Sequence, residues 1–409
     1  MKKGAIILLT SALVLGGVSC KKKGCTDPLA NNYSEKAKKD DGSCDYSPVL
    51  YEGGDITTNT TFTNKIIKIC GDLTVSAGLT IPEGTTIIMC ANASIGVTPS
   101  GYIKAVGTSE KPIVIKGETE TAGFWKGIGI ESNNPNNIFD YVTVKDAGTY
   151  WYWANAGIYV KSNAKISISN STISNHENTG LYFDDNAQIS TFSNNTFSNC
   201  NIGVSLSSNL LNKIDGASNY NNNNAKNYIE ARYSTITSDM TWVKTNAPIL
   251  SYGAKVEAGL TISAGAVIML EANTGFDIIS TGFLNCNGTS SQPITIKGKF
   301  ASAGYWEGII IRSNNPNNKI NYTTISDGGQ YWAYDYSGIY IKNGKLELNN
   351  SNVNNSNSYG VYVDNASQLI TNGTVQTTVA GVETNNTFSN NGTGANANCT
   401  NGCKVFFQP

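Results

Sequence analysis

Hydrophobic residues recur along this chain in short alternating runs, not in helical stripes. "KISIS" at 165–169, "ITIKG" at 294–298 and "KLELN" at 345–349 place apolar side chains at every second position, the period of a half-buried strand. Each run is closed by Asn, Ser, Asp or Gly, residues that accept the backbone reversals of turns. Gly157, Gly180 and Gly203 open "GIYV", "GLYF" and "GVSL" at a spacing of 23, and Gly338, Gly360 and Gly381 follow at spacings of 22 and 21. Strands returning every twenty-odd residues predict an all-β solenoid, in which coils stack and their inward side chains form a narrow apolar column. Propeller blades need longer repeats, and a sandwich would not keep this period.

A longer period overlies the short one. Residues 78–160 and 259–341 align without a gap at an offset of 181: "EKPIVIKG" returns as "SQPITIKG", and "AGFWKGIGIESNNPNN" as "AGYWEGIIIRSNNPNN". Just upstream, "DITTNTTF" at 55–62 returns as "TITSDMTW" at 235–242. The solenoid is therefore expected to be two tandem repeats, 50–229 and 230–409.

With its short strands and Asn-rich turns, the stretch from about 50 to 409 resembles the right-handed parallel β-helix family of pectate-lyase-like fold. That resemblance implies ladders of stacked asparagines at the turns. Roughly sixteen coils at ~4.8 Å would make a rod on the order of 80 Å, with open ends that need caps. The segment from Cys399 through "KVFFQP" is the candidate cap for one end.

The N-terminus carries a different signal. Lys2 and Lys3, an apolar run and small residues leading to Cys20 have the layout of a secretory signal over 1–19. "GGVSC" resembles the lipobox of bacterial lipoproteins, although Gly17 stands where a bulkier aliphatic residue is usual. The resemblance implies that Cys20 is lipidated and anchors the protein to the outer membrane, on its periplasmic or its surface face. Residues 20–49 then form a tether. Within it "GCTDP…DDGSC" resembles a small Cys-bounded module of exported proteins from Bacteroidota-type bacteria. Asp27, Asp40 and Asp41 could offer oxygens to a structural Ca²⁺, but a metal-free, disulfide-closed spacer is the favoured reading, and no other cofactor is expected.

Export changes how the nine cysteines read, because thiols outside the cytoplasm tend to pair. Cys25 and Cys44 bracket the module, and Cys399 and Cys403 bracket a tight turn. Cys70 and Cys90 are replaced together in the second repeat, by Ser251 and Glu271, as expected of a bonded pair. Cys200 and Cys286 are left as buried small hydrophobes. One histidine and no paired CxxC motifs argue against zinc. A net charge of −1 with only two arginines leaves no electrostatic footprint for nucleic acid.

Because polysaccharide lyases and hydrolases share the fold, catalysis must be judged on residues. Neither Arg232 nor Arg312 has the acidic sequence context of lyase chemistry. The only adjacent acids of the rod, Asp184 and Asp185, correspond to Asp364 and Asn365, which reads as a turn pair. His176 is expected in a solvated loop, and Asp146 and Asp327 are expected to hold loop conformation. None of this favours an enzyme.

The aromatic clusters stand out instead: Tyr150, Trp151, Tyr152 and Trp153 in the first repeat, Tyr331, Trp332, Tyr334 and Tyr336 in the second. Neighbours in extended chain alternate faces, so such runs cannot all point inward. Exposed rings would stack on sugars or on an envelope protein, unless they fold over a strand edge as lids. The resulting expectation is a non-catalytic, lipid-anchored β-helix that displays a binding surface for polysaccharide or an envelope partner. A polysaccharide lyase or hydrolase is the alternative, and a plain spacer the third reading. If the repeats run in register, Trp151 and Trp332 should lie on one side of the rod.

Overall fold

The computed structural model describes residues 22–28, 30–149, 155–397, 399 and 401–409. The signal, Cys20 and the first aromatic cluster, Tyr150, Trp151, Tyr152 and Trp153, lie outside the described residues. The chain divides into two compact units, Met1–Ser47 and Pro48–Pro409.

The small unit is closed by the Cys25–Cys44 disulfide. Asn32 donates from its side chain to the Ser43 carbonyl at 2.5 Å and accepts the Asp45 N–H at 2.8 Å, tying the two arms together. The three acids are engaged locally. Asp27 accepts the Tyr46 hydroxyl at 2.5 Å, while Asp40 and Asp41 accept the N–H groups of Gly42 and Ser43 two residues on. Among the described residues no group of three or more His, Cys, Asp or Glu is placed to hold a metal ion.

The large unit is a parallel β-helix. Its coils are triangular: Ile66–Ile69, Asp72–Val75 and Gly78–Ile81 occupy three faces, and Thr86–Met89 then stacks in parallel on the first. Alternation decides the register. Ile67 pairs with Ile87, Leu73 with Ile95 and Leu79 with Ile103, and all six are buried in one apolar column. A one-residue slip would turn that whole set to solvent. The longest sheet has fourteen strands, from Gly54–Ile56 to Thr387–Ser389, which at ~4.8 Å per strand spans on the order of 60 Å. Sixteen coils were expected from the short period; insertions such as 118–126 and 131–137 lengthen several coils and reduce the number.

Turns are built as the composition suggests. Asn170, Asn175, Asn194, Asn199 and Asn223 all adopt positive φ, where a short polar side chain tolerates the left-handed conformation. They stack: Asn223 donates to Asn199 at 2.5 Å, and Asn194 to Asn170 at 3.4 Å. Disulfides join Cys70 to Cys90, between successive coils, and Cys399 to Cys403. Cys200 and Cys286 are free and buried, and burial pushes their thiols up to about 11 and about 12. At the C-terminal end an antiparallel strand, Thr374–Gln376, pairs with Gln368–Thr371. The buried Val382 of the helix Val379–Val382 packs into the core there, and Val405–Phe407 is the last strand of its sheet. The cap is thus more than the cystine turn.

The two repeats form one continuous stack, but not in phase. Strand Ile113–Gly117 belongs to the first face of its coil, beside Thr86–Met89; its counterpart Ile294–Gly298 lies in the fourteen-stranded sheet that carries the second face of the first repeat. The shift occurs at a 3₁₀ segment, Ser208–Lys213, placed between the strand of Ile202–Ser207 and that of Asn219–Asn222. Equivalent strands of the second repeat are therefore displaced by one face. Strands Val142–Lys145 and Ala156–Val160 lie in the first and second faces, whereas their counterparts Thr323–Ser326 and Ile339–Ile341 lie in the second face and the next one round. The expectation that Trp151 and Trp332 share one side falls on a residue, Trp151, outside the described ones; the strands that flank the two loops are rotated by one face.

Candidate binding face

In parallel strands outward side chains stack as regularly as inward ones. On the face of the second repeat that carries Gly275–Ile279, the register runs Lys255, Asp277, Ile310, Tyr340, Tyr362, Phe406. Ile310, Tyr340 and Tyr362 form an apolar cluster separate from the main core, with Tyr334, Tyr359 and Phe406 packed against it. Ring centroids lie 5.2 Å apart for Tyr340–Tyr362 and 4.9 Å for Tyr362–Phe406. The aromatic loop extends this ladder, with Tyr334 at 5.5 Å from Tyr340 and Tyr331 at 5.0 Å from Tyr334. Trp332, beside Tyr331, is 69 % exposed. Tyr336 is half-buried and takes a positive φ. Of the four aromatics expected here, three come together on the surface.

Tyr340, Tyr362, Tyr359 and Phe406 were not read from the sequence as part of a site. Their signal is the tyrosine in "GIYI" and "GVYV", flanked on both sides by inward aliphatics, which must face outward and must stack on its counterpart one coil away.

Among the described residues the first repeat has a shorter ladder: Tyr159 stacks on Tyr182 at 5.7 Å, and the Arg232 guanidinium covers Tyr182 at 4.4 Å. Tyr159 donates to Asp184 at 3.0 Å. Asp185 lies 3.4 Å from Arg232, and Asp277 lies 3.4 Å from Arg312, whose guanidinium donates to the Tyr334 hydroxyl at 2.6 Å. Both arginines therefore have acidic neighbours, contributed by other coils and invisible to local sequence context. Each is held on a tyrosine by cation–π contact.

Asp184 and Asp364 do serve turns, accepting the N–H of Asp185 at 3.0 Å and of Ala366 at 3.1 Å. Asp146 and Asp327 are equivalent and buried, and each accepts one backbone N–H, from Gly117 or Gly298 at 3.2 Å, and one asparagine amide, from Asn175 or Asn355 at 2.7 Å. Burial raises the Asp146 pKa despite those bonds.

His176 is not solvated. Asn175 turns the chain with φ 56°, so the next side chain points inward and is 1 % exposed. Its Nδ1 accepts the Ala147 N–H and its Nε2 donates to the Val144 carbonyl, both at 3.1 Å. Burial lowers its pKa to about 4, fixing the neutral ring. It is a coil-to-coil strut.

Beside the second-repeat ladder a cleft of about 300 Å³ is lined by Tyr233, Tyr252, Tyr334, Lys255, Asp277 and Glu307. Tyr334 belongs to both cleft and ladder, making one continuous face. No family model, curated protein or solved structure matched this chain, so the face must be read on its own geometry.

Proposed function

We propose that this chain is an envelope-anchored, non-catalytic β-helix whose second repeat presents an aromatic platform to a polysaccharide. One observation carries the reading: Tyr331 and the 69 %-exposed Trp332 continue a ladder of outward rings on a stiff sheet. Burying large rings inside would stabilise the fold, so rings left in water on a rigid scaffold favour a surface that meets the apolar face of a sugar ring. The N-terminal pattern to Cys20 supports attachment to the outer membrane through lipid, with the Cys25–Cys44 unit beside the anchor and the membrane met only there. No helix among the described residues is long and apolar enough to cross a membrane.

A glycan array probed with the purified protein tests the reading. Saturable binding that Trp332→Ala weakens, with no product released, supports it. Depolymerised glycan would select the lyase or hydrolase, and silence on every glycan the spacer.

A further inference from the structure

The cleft beside the ladder contains a charge pattern that narrows the ligand. Asp277 and Glu307 enter it from adjacent coils, and a Cβ placed on Gly275 would come within 3.1 Å of the Glu307 Cβ, so glycine opens the floor between them. The two cations nearby are already engaged. Lys255 pairs with Glu257 at 2.7 Å, and Arg312 lies 3.4 Å from Asp277 without hydrogen-bond geometry while donating to Tyr334. Glu307 has no ion pair or side-chain hydrogen bond among the described residues. Burial raises its pKa, and the neighbouring Asp277 carboxylate raises it further.

The equivalent place in the first repeat is neutralised from within. Gly96 stands for Asp277, Lys126 for Glu307 and Glu131 for Arg312. There Lys126 bonds both oxygens of Asp72 at 2.9 Å, and Lys161 meets Glu131 at 2.9 Å. One backbone thus carries a self-compensated surface in one repeat and an uncompensated carboxylate, walled by three tyrosines, in the other.

We infer that the second-repeat cleft binds a glycan unit bearing a protonated amine, with the ammonium at Glu307 and the sugar's apolar face on Tyr334 and the adjoining ladder. This rests on the glycan reading above. A uronate or sulfate would bring a third anion beside two carboxylates, and a neutral sugar would leave Glu307 without a counter-charge. An ammonium supplies that charge and three donors, and tyrosine walls add cation–π attraction.

Calorimetric titration of the full chain with β-1,4-linked hexamers of glucosamine and of N-acetylglucosamine, and with the α-1,4-linked hexamer of galacturonate, tests the inference. The free-amine hexamer should bind about tenfold more tightly than the N-acetylated one, and galacturonate should not bind. Glu307→Gln should erase that preference. Glu307→Lys, which installs the residue the first repeat carries, should abolish amine binding with an unchanged melting temperature. Equal binding of the amine and N-acetyl hexamers, or a preference that survives Glu307→Gln, overturns the amine site while Trp332-dependent binding keeps the glycan reading. No binding of any hexamer, or of any member of the glycan array, overturns both.

Discussion

Where the first repeat holds Lys126 between the oxygens of Asp72, the second has Glu307 facing Asp277 across an open cleft. A few coils on, the described strands of the first repeat end their tyrosine ladder under Arg232, whereas those of the second run on through Tyr340 and Tyr362 to Phe406. The inward columns hardly differ: Trp125 and Trp306 are both fully buried, and their indoles donate to the Lys145 and Ser326 carbonyls at 2.8 and 2.7 Å. Packing constrains a residue from every side, while an outward position is constrained only by its stacked neighbours. After the duplication evident in the sequence, the outer face was free to change. The repeats share a scaffold, not a surface.

The largest effect should come where the repeats agree. Trp125→Ala and Trp306→Ala should each cost ~3–5 kcal/mol, by loss of apolar contact and creation of a cavity. Urea unfolding that finds one costly and the other neutral would break the claim of equivalent cores.

Next come two differences confined to the first repeat. Replacing Cys70 and Cys90 together by serine should cost ~3 kcal/mol through a less restricted unfolded chain. In the second repeat the corresponding coils are held instead by Glu271, which accepts from Lys299 at 2.6 Å and from the Tyr305 hydroxyl at 2.5 Å. The Lys299 contact and those hydrogen bonds keep the Glu271 pKa low despite desolvation. Hydrogen exchange should therefore show faster opening around 66–90 alone in the double mutant, and opening across both repeats would mean the stack unfolds as one unit.

His176 sharpens the contrast by pH. Its pKa is about 4 in the fold, below the 6.5 of the unfolded side chain, so between those values the unfolded chain binds more protons and stability rises with pH. Acidification from 6.5 to 4 should cost the first repeat up to about 3 kcal/mol, an order-of-magnitude figure. Ser356 occupies the equivalent place in the second repeat and adds no such dependence. His176→Asn should flatten the acid limb of the stability curve. An unchanged limb would show that the ring is not the titrating group.

The smallest effect should be the most telling for function. Trp332→Ala should weaken glycan binding by on the order of 1 kcal/mol and leave the melting temperature alone. A fall of several degrees would make the indole a structural lid.

Much of this was legible in the chain. Alternating strands, their twenty-odd-residue return and the 181-residue offset led to a parallel β-helix of two repeats, because inward stacking demands one apolar residue at every second position of every coil. The shared loss of Cys70 and Cys90 pointed to their bond, while Asp146 and Asp327, expected to hold their loops, bond to Gly117 and Asn175 and to Gly298 and Asn355 on neighbouring coils. The rest depended on what stands beside what between coils. His176 looked solvated among polar neighbours until Asn175 turned it inward, and each arginine found its acid on another coil. The rotation at Ser208–Lys213 leaves no trace in an alignment, since matching one repeat to the other says nothing of the face on which each begins. Sequence determined the column of buried side chains, because periodicity alone decides which ones face in. Only the stacked coils decided which outward residues meet, since those neighbours lie twenty or more residues apart and are joined by register, not by sequence.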